Sequence, residues 1–388
     1  MEDERFSLYV HVPFCRDIKC PYCDFYSVPA RDNLIADYLV ALEREIGFSA
    51  GSWPGQGSRV ETVFFGGGTP SLLSPGHLQY IVEKVSAVWS LDSTAEISLE
   101  ANPEDVNESS AAAWLEIGVN RLSVGCQSFD DNVLAALGRR HDAAYGRRAL
   151  VAARRAGFER LSADLIFGEP GCSVRSLTGS VTEAIGLGVD HLSIYGYHLE
   201  ETCLAHGRPE FAESGEDEYN GQYLAVCECL LEYGWRHYEL SNWARDKSSA
   251  CSHNLAYWTG RPYLGLGPSA HSFQPPDRRF WNRGDLEEYI RCGWRTGSAM
   301  SCREGEFLSA QQRLSENLML GLRLEDGAPV SLVGQILGRS TAAVLRELDD
   351  SGLLHLRDSR VRLTDRGFLV LDCLVDRILS RGEFPLDK

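Results

Sequence analysis

A chain of 388 residues has room for two or three domains, or for one large barrel with an appendage. Hydrophobic residues make up 44% and charged residues 24%, which is ordinary globular usage and excludes a disordered, collagenous or coiled-coil chain. Lys and Arg number 38 against 55 Asp and Glu, and the net charge of −17 repels phosphate backbones, so a general DNA or RNA binder is excluded. The start, Met1-Glu2-Asp3-Glu4-Arg5, is acidic and lacks the basic and apolar regions of a signal peptide. No run of about 18 apolar residues exists to span a membrane. The expectation is a cytoplasmic protein. Its 12 cysteines then point to thiols, a metal or a cluster, not to a disulfide framework.

Short β-like runs alternate with amphipathic helices. Strands are predicted over Phe6–Val12, Thr62–Phe65, Glu96–Glu100, Arg121–Val124, Leu161–Phe167 and His191–Tyr195. Helices are predicted over Leu34–Ile46, Gly76–Val88, Ser109–Ile117, Asp131–Leu137 and Gly146–Ala156. Gly118 and Gly157 read as helix-stopping glycines ahead of the next strand. Six βα units at this spacing predict a parallel sheet with outer helices, better fitted by an open or closed βα barrel than by a doubly wound sheet.

Beyond Ala205 the pattern loosens and aromatic residues cluster, among them Trp235, Tyr238, Trp243, Tyr257 and Trp258. From Leu308 the pattern changes again. Helices are predicted over Gln312–Leu322, Val330–Ile336 and Thr341–Ser351, a hairpin over Leu353–Arg357 and Arg360–Leu363, and a last helix over Asp365–Leu379. Helix–turn–helix followed by a hairpin is the winged-helix pattern. Acidic and basic residues alternate along it, so a lid or docking role fits better than groove recognition. Three units result: 1–240, a barrel; 241–306, an aromatic connecting segment; and 307–388, a winged-helix-like domain.

The most informative residues are Cys15, Cys20 and Cys23, directly after the first strand. Three thiolates on one loop can hold a [4Fe–4S] cube and leave one iron open to a small ligand. A zinc site or three buried thiols are the alternatives; zinc wants a second ligand pair, and no second Cys-x-x-Cys exists. Gly66-Gly67-Gly68-Thr69 follows the second strand, where glycines allow close backbone approach. Glu100, Gln127, Arg139 and Asp164 recur at or near later strand ends, which is how a parallel barrel builds one polar site at its top face. Together they predict a polar, zwitterionic, ribose-containing ligand. The other cysteines form no evident ligand set and read as inert buried thiols.

These motifs resemble the radical S-adenosylmethionine (SAM) superfamily, in the branch that holds oxygen-independent coproporphyrinogen III oxidase and the haem chaperones related to it. The resemblance implies a partial (β/α)6 TIM-like barrel with a C-terminal winged-helix-like domain. It implies that Cys15, Cys20 and Cys23 ligate a [4Fe–4S] cluster. Gly67, Gly68 and Thr69 would meet the amino end of SAM, with further contacts from Tyr9, Glu100, Gln127, Arg139 and Asp164, and with Tyr197 near another. In such proteins the open iron chelates SAM, and an electron from the cluster cleaves it to methionine and a 5′-deoxyadenosyl radical. Four residues separate Cys15 from Cys20, where the family pattern has three.

Within the branch, three features favour the chaperones. Phe25 stands where the oxidase has a fourth cysteine, there is no room before Phe6 for the oxidase's N-terminal extension, and His253-Asn254-Leu255-Ala256-Tyr257-Trp258 matches the chaperones' His-Asn-x-x-Tyr-Trp signature. The resemblance thus implies haem binding through His253, with His271 as an alternative ligand and Cys251 worth checking as a contact. Haem-accepting proteins such as membrane-bound respiratory enzymes, and an electron donor, would be the partners. The alternative is the oxidase itself, decarboxylating coproporphyrinogen III; whether SAM is turned over is left open.

Overall fold

The structure, a computed structural model, describes residues 5–17, 19–55, 57–169, 171–294 and 302–382. The acidic tetrad at the N-terminus and Ile18, in the loop between Cys15 and Cys20, lie outside the described residues.

All six predicted strands form: β1 Arg5–Val12, β2 Arg59–Gly67, β3 Ser90–Ala101, β4 Arg121–Gln127, β5 Arg160–Phe167 and β6 His191–Gly196. They pair in parallel and in chain order. Residues from all six strands line a single cavity, so the sheet curls around it as a partial barrel. Its strands end where helices begin: α1 Asp32–Ala50, α2 Pro75–Val88, α3 Glu108–Glu116, α4 Asp131–Ala136, α5 Ala143–Ala156 and α6 Val174–Gly186. Side-chain caps fix several of the starts: Ser74 accepts from the His77 amide, Asp142 from Tyr145 and Ser173 from Ser176. Helix α5 stops at Gly157, whose φ of 113° a side chain would resist.

After α7 (Glu216–Glu232), the aromatic segment joins the same sheet. β7 Arg236–Glu239 and β8 Asn242–Ala244 extend it antiparallel beyond β6. Helix α8, Ser252–Trp258, crosses to the other edge. There β9 Tyr263–Leu266 pairs in parallel with β1, and β10 His271–Gln274, β11 Arg278–Asn282 and β12 Arg303–Phe307 continue antiparallel, with α9 Leu286–Arg291 following β11. The result is a sheet of 12 strands. Residues 241–306 are thus part of the sheet at both edges; their loose pattern reflects short antiparallel strands rather than repeated βα units.

The C-terminal region has the expected winged-helix shape. Helices α10 Ala310–Leu322, α11 Val330–Leu337 and α12 Thr341–Asp350 accompany a small sheet of β13 Ala328–Pro329, which leads into α11, and the hairpin β14 Leu354–Arg357 and β15 Arg360–Leu363. The single last helix expected over Asp365–Leu379 is two, α13 Asp365–Leu369 and α14 Leu371–Ser380. Val370, at φ −120° and ψ 23°, breaks the run, and the close seat of Gly367 against the Leu353 carbonyl fixes where α13 must lie.

One cysteine expectation is overturned. Cys292 and Cys302 form a disulfide, their Cα atoms 6.3 Å apart. A compartment argument from composition has no access to two cysteines that meet only in the folded chain.

No helix among the described residues is long and apolar enough to cross a membrane.

Candidate functional site

The cysteine loop begins where β1 ends. Phe14–Cys15 pairs with Val28–Pro29, and the amides of Val28 and Ala30 donate to Pro13 and Cys15 at 2.7 and 2.8 Å. This latch closes residues 15–30 into one loop, with a turn in which the Cys23 amide meets the Cys20 carbonyl at 3.1 Å. Cys15, Cys20 and Cys23 are all half-buried. Arg139 donates to Cys20 Sγ at 3.2 Å, and Thr69 Oγ1 to Cys15 Sγ at 3.8 Å. Burial pushes the Cys23 thiol up to about 12, and Cys20 and Cys15 add to the rise. Three thiolates in this loop therefore need a cationic centre. Three half-buried thiols, with no fourth cysteine between residues 15 and 30, suit a [4Fe–4S] cube that keeps one iron open.

Gly66-Gly67-Gly68 runs beside this loop, and the need for glycine is steric. A Cβ on Gly68 would lie 2.6 Å from the Phe14 carbonyl oxygen, and one on Gly67 2.7 Å from the His11 ring. The amides here are already engaged: Gly67 donates to Glu100 at 3.2 Å, Gly68 to Val12 at 2.8 Å and Thr69 to Phe14 at 2.7 Å. A ligand at this turn would therefore meet carbonyls and the Thr69 hydroxyl, which suit an ammonium group.

Glu100, Gln127, Arg139 and Asp164 converge as the sequence predicts. Arg139, from the loop after α4, donates to Asn102 Oδ1 at 3.1 Å and the Gly125 carbonyl at 3.0 Å as well as to Cys20, and its charge acts on Asp164 without a hydrogen bond to it. Gln127 adopts φ 63°, a strained position for a residue with a side chain, and its amide covers Gly125 beside Arg139. Burial and the Asp164 charge push the Glu100 carboxyl up to about 8. Burial raises Asp164 to about 6 against hydrogen bonds from Ser123, Ser193 and Ser162. Two crowded acids held partly protonated suit a ligand that brings positive charge or hydroxyls. Tyr197 stands at the edge of this group: it is buried, donates to the Phe211 carbonyl at 3.1 Å, and packs against Tyr22, which lies between Cys20 and Cys23 and accepts from Arg139.

Below this end lies a cavity of about 480 Å³, within the range of cofactor pockets. Tyr9, Phe64, Tyr257 and Tyr263 give it aromatic walls, and Ser98, Ser123, Ser162 and Ser193 a polar floor. The hydroxyl of Ser98 is buried and has no protein partner among the described residues. These serines escaped the sequence reading, yet the signal was there. Side chains alternate along a strand, so counting back by two or four from Glu100, Gln127 and Asp164 reaches Ser98, Ser123 and Ser162.

His253 is in the cavity wall, not free. Its Nδ1 is 2.7 Å from Thr62 Oγ1 and its Nε2 2.8 Å from Tyr257 Oη. Burial pushes the ring down to about 3. Thr62 pairs with Ser7, and from Ser7 to Val12 the strand rises roughly 16 Å, so His253 lies at the far end of the barrel interior from the cysteine loop. Ligation of iron there would displace Tyr257. Cys251 is also buried there, its thiol 3.5 Å from Glu96. His271, by contrast, is exposed at the cavity mouth, stacked 5.6 Å from Trp281, with no protein hydrogen bond to its ring nitrogens among the described residues.

Comparison with known proteins decides the family. The model of the Radical SAM superfamily matches residues 9–177, and that of the HemN C-terminal domain residues 308–370. "Heme chaperone HemW" of Mycobacterium tuberculosis is 35% identical over 98% of this chain and 96% of its own, and that of Bacillus subtilis 32% identical over 94% and 96%. The chain belongs to the HemW family of radical SAM proteins. This HemW-family chain also resembles "Radical S-adenosyl methionine domain-containing protein 1, mitochondrial" of Danio rerio, 31% identical over 97% of this chain and 87% of that one. Its fold is that of the solved Escherichia coli coproporphyrinogen III oxidase, described as a radical SAM enzyme, with a TM-score of 0.81 at 23% identity over 97% of this chain and 91% of that one. Membership in a radical SAM family implies a [4Fe–4S] cluster and SAM as cofactors.

Proposed function

We propose that this chain is a haem chaperone, holding haem at the central cavity and passing it to haem-requiring proteins, with a [4Fe–4S] cluster and SAM at the cysteine end. The observation that carries the proposal is the cavity itself: aromatic-walled, bounded by histidines, and opening beside a three-cysteine loop in a chain aligned over nearly its full length with chaperones of that name.

Cys15, Cys20 and Cys23 would ligate the cluster. The cluster, when bound, supplies one iron open to the amino and carboxylate groups of SAM and an electron for its cleavage. The carbonyls of Gly67 and Gly68 and the Thr69 hydroxyl would hold the ammonium. Arg139 would pair with the carboxylate, a charge-assisted contact that fixes the ligand's orientation. Glu100 and Asp164 would accept from the remaining donors, with Tyr9 and Gln127 closing the sides. Residues 307–388 would serve as a docking or lid domain.

For the iron of haem, His253 is the ligand that the family signature implies, at the cost of its bond to Tyr257. His271 is a second reading, favoured by its exposed and unengaged ring. Haem titration followed by the Soret band separates them. Loss of the bound spectrum in His253→Ala with retention in His271→Ala assigns His253, and the reverse assigns His271. Retention in both variants removes histidine ligation at this cavity. A parallel anaerobic assay with coproporphyrinogen III completes the test: decarboxylation without specific haem binding would replace the chaperone reading with the oxidase.

A further inference from the structure

Away from the central cavity, three side chains of different chemistry meet at the seam between the barrel and the C-terminal domain. Cys227 faces inward from α7, His237 lies in β7 and Asp365 opens α13. Their ligand atoms all lie within 4.8 Å of one another. No pattern in the sequence joins them, since Cys227 and His237 lie well over a hundred positions before Asp365.

His237 defines the geometry. Its Nε2 is 3.2 Å from the Leu240 carbonyl, and its Nδ1 is 3.2 Å from Asp365 Oδ1. A carbonyl only accepts, and Tyr223 Oη, 3.5 Å from Nε2, donates its own proton to the same Leu240 carbonyl at 3.2 Å, so the proton of the neutral ring belongs on Nε2 and the lone pair on Nδ1. That lone pair faces a carboxylate. The two repel unless a cation stands between them or the ring takes a second proton. The ring is held flat on Trp243 at 4.2 Å and 10°, with Phe368 at 4.9 Å on the domain side, so its direction is fixed. A histidine whose second nitrogen is tied to a backbone carbonyl is the arrangement that orients zinc ligands. Thiolate, imidazole and carboxylate together suit zinc, whose bonds of about 2.0–2.3 Å place neighbouring ligand atoms roughly 3.3–3.7 Å apart.

We propose that Cys227, His237 and Asp365 form a zinc site, completed by water, that clamps the C-terminal domain to the barrel. Two ligands come from the barrel and one from the domain, so the metal adds to a seam already made by the Arg236–Glu325 ion pair at 2.6 Å and the bond of the Leu240 amide to Arg323 at 3.0 Å.

The test uses the full chain with Cys15, Cys20 and Cys23 changed to Ser, which removes the competing thiols, and cobalt(II) as the probe. One cobalt per chain should bind, with a thiolate-to-cobalt charge-transfer band and tetrahedral ligand-field bands, and zinc should displace it. Cys227→Ser should abolish the charge-transfer band. Asp365→Asn, at a half-exposed position where the fold tolerates the change, should weaken cobalt binding about 10–100-fold or more. A chain that binds no cobalt stoichiometrically holds only the direct His237–Asp365 contact, and the proposal falls. It falls equally if the band survives Cys227→Ser. Should that variant not fold, unchanged cobalt affinity in Asp365→Asn is decisive against the site. In the parent chain, zinc should raise the melting temperature, and Asp365→Asn should remove that rise.

Discussion

The two ends of the barrel interior hold polar groups of similar kind in opposite conditions. At the floor, Glu96 and Arg121 form an ion pair at 2.9 Å with both side chains almost wholly buried. Arg121 also donates to the Ser249 and Ala250 carbonyls at 2.9 and 3.0 Å, and Glu96 accepts from the His253 amide at 3.1 Å. Most demands there are met by another protein group, although Nη1 of Arg121 has no hydrogen-bond partner among the described residues, and the effect is to pin the start of α8 beneath the strands. At the cysteine end, Glu100 and Asp164 crowd each other, Cys23 resists ionisation, and Gln127 is strained. Groups that satisfy one another hold a structure together; groups left in mutual conflict mark where a ligand completes the site.

The contrast can be broken most forcefully at the floor. Arg121→Ala leaves buried Glu96 with the more distant Arg160, at 3.6 Å, as its remaining cation, and should cost about 3–5 kcal/mol, read as a lower urea midpoint. A midpoint near the parent's would show that the floor pair is not the structural element described here. Next in size is Gly68→Ala. Its new methyl meets the Phe14 backbone, so we expect about 1–3 kcal/mol of strain together with loss of iron from the reconstituted chain. Full iron content in this variant would separate the glycine turn from the cysteine loop.

Arg139→Gln should act on the ligand more than on the fold, weakening SAM about 10–100-fold in calorimetry, the range for a hydrogen bond to a charged group. Glu100 offers a finer test. With its carboxyl raised to about 8 it is largely protonated at neutral pH, and a cationic ligand favours the ionised form. SAM binding at pH 7 should therefore release a proton, seen as a buffer-dependent binding enthalpy that Glu100→Gln abolishes. A last test concerns acid stability. His253 is held to about 3 and His11 to about 4, below the usual value near 6.5. Below pH 6.5 the unfolded chain binds protons at these rings that the folded chain refuses. Stability is therefore full above pH 6.5 and falls as the pH drops toward 4, and His253→Gln should flatten that slope.

The comparison of the two ends also explains what could be read in advance. The βα alternation, the cysteine loop, the glycine turn and the polar strand ends are local in sequence, because a parallel barrel delivers consecutive strand ends to one face. Their convergence around Arg139 follows from that topology. The role of His253 did not follow in the same way: a signature names a residue, while its neighbours Thr62 and Tyr257, one of them nearly 200 positions away, determine whether its nitrogens are free. The break at Val370 and the Cys292–Cys302 bond were hidden for the same reason, since both depend on what packs against a segment rather than on the segment's own pattern.

The sequence by itself determined the order of strands and helices, the winged-helix tail and the family to which the chain belongs, because periodicity, turn residues and motif spacing are properties of short stretches. Only the tertiary structure decided that residues 241–306 complete the sheet at both edges, that one histidine of the cavity is engaged while another is free, and that Cys227, His237 and Asp365 stand together at a seam. Those outcomes depend on contacts between distant segments, and a side chain's chemistry is set by the partners that folding brings to it.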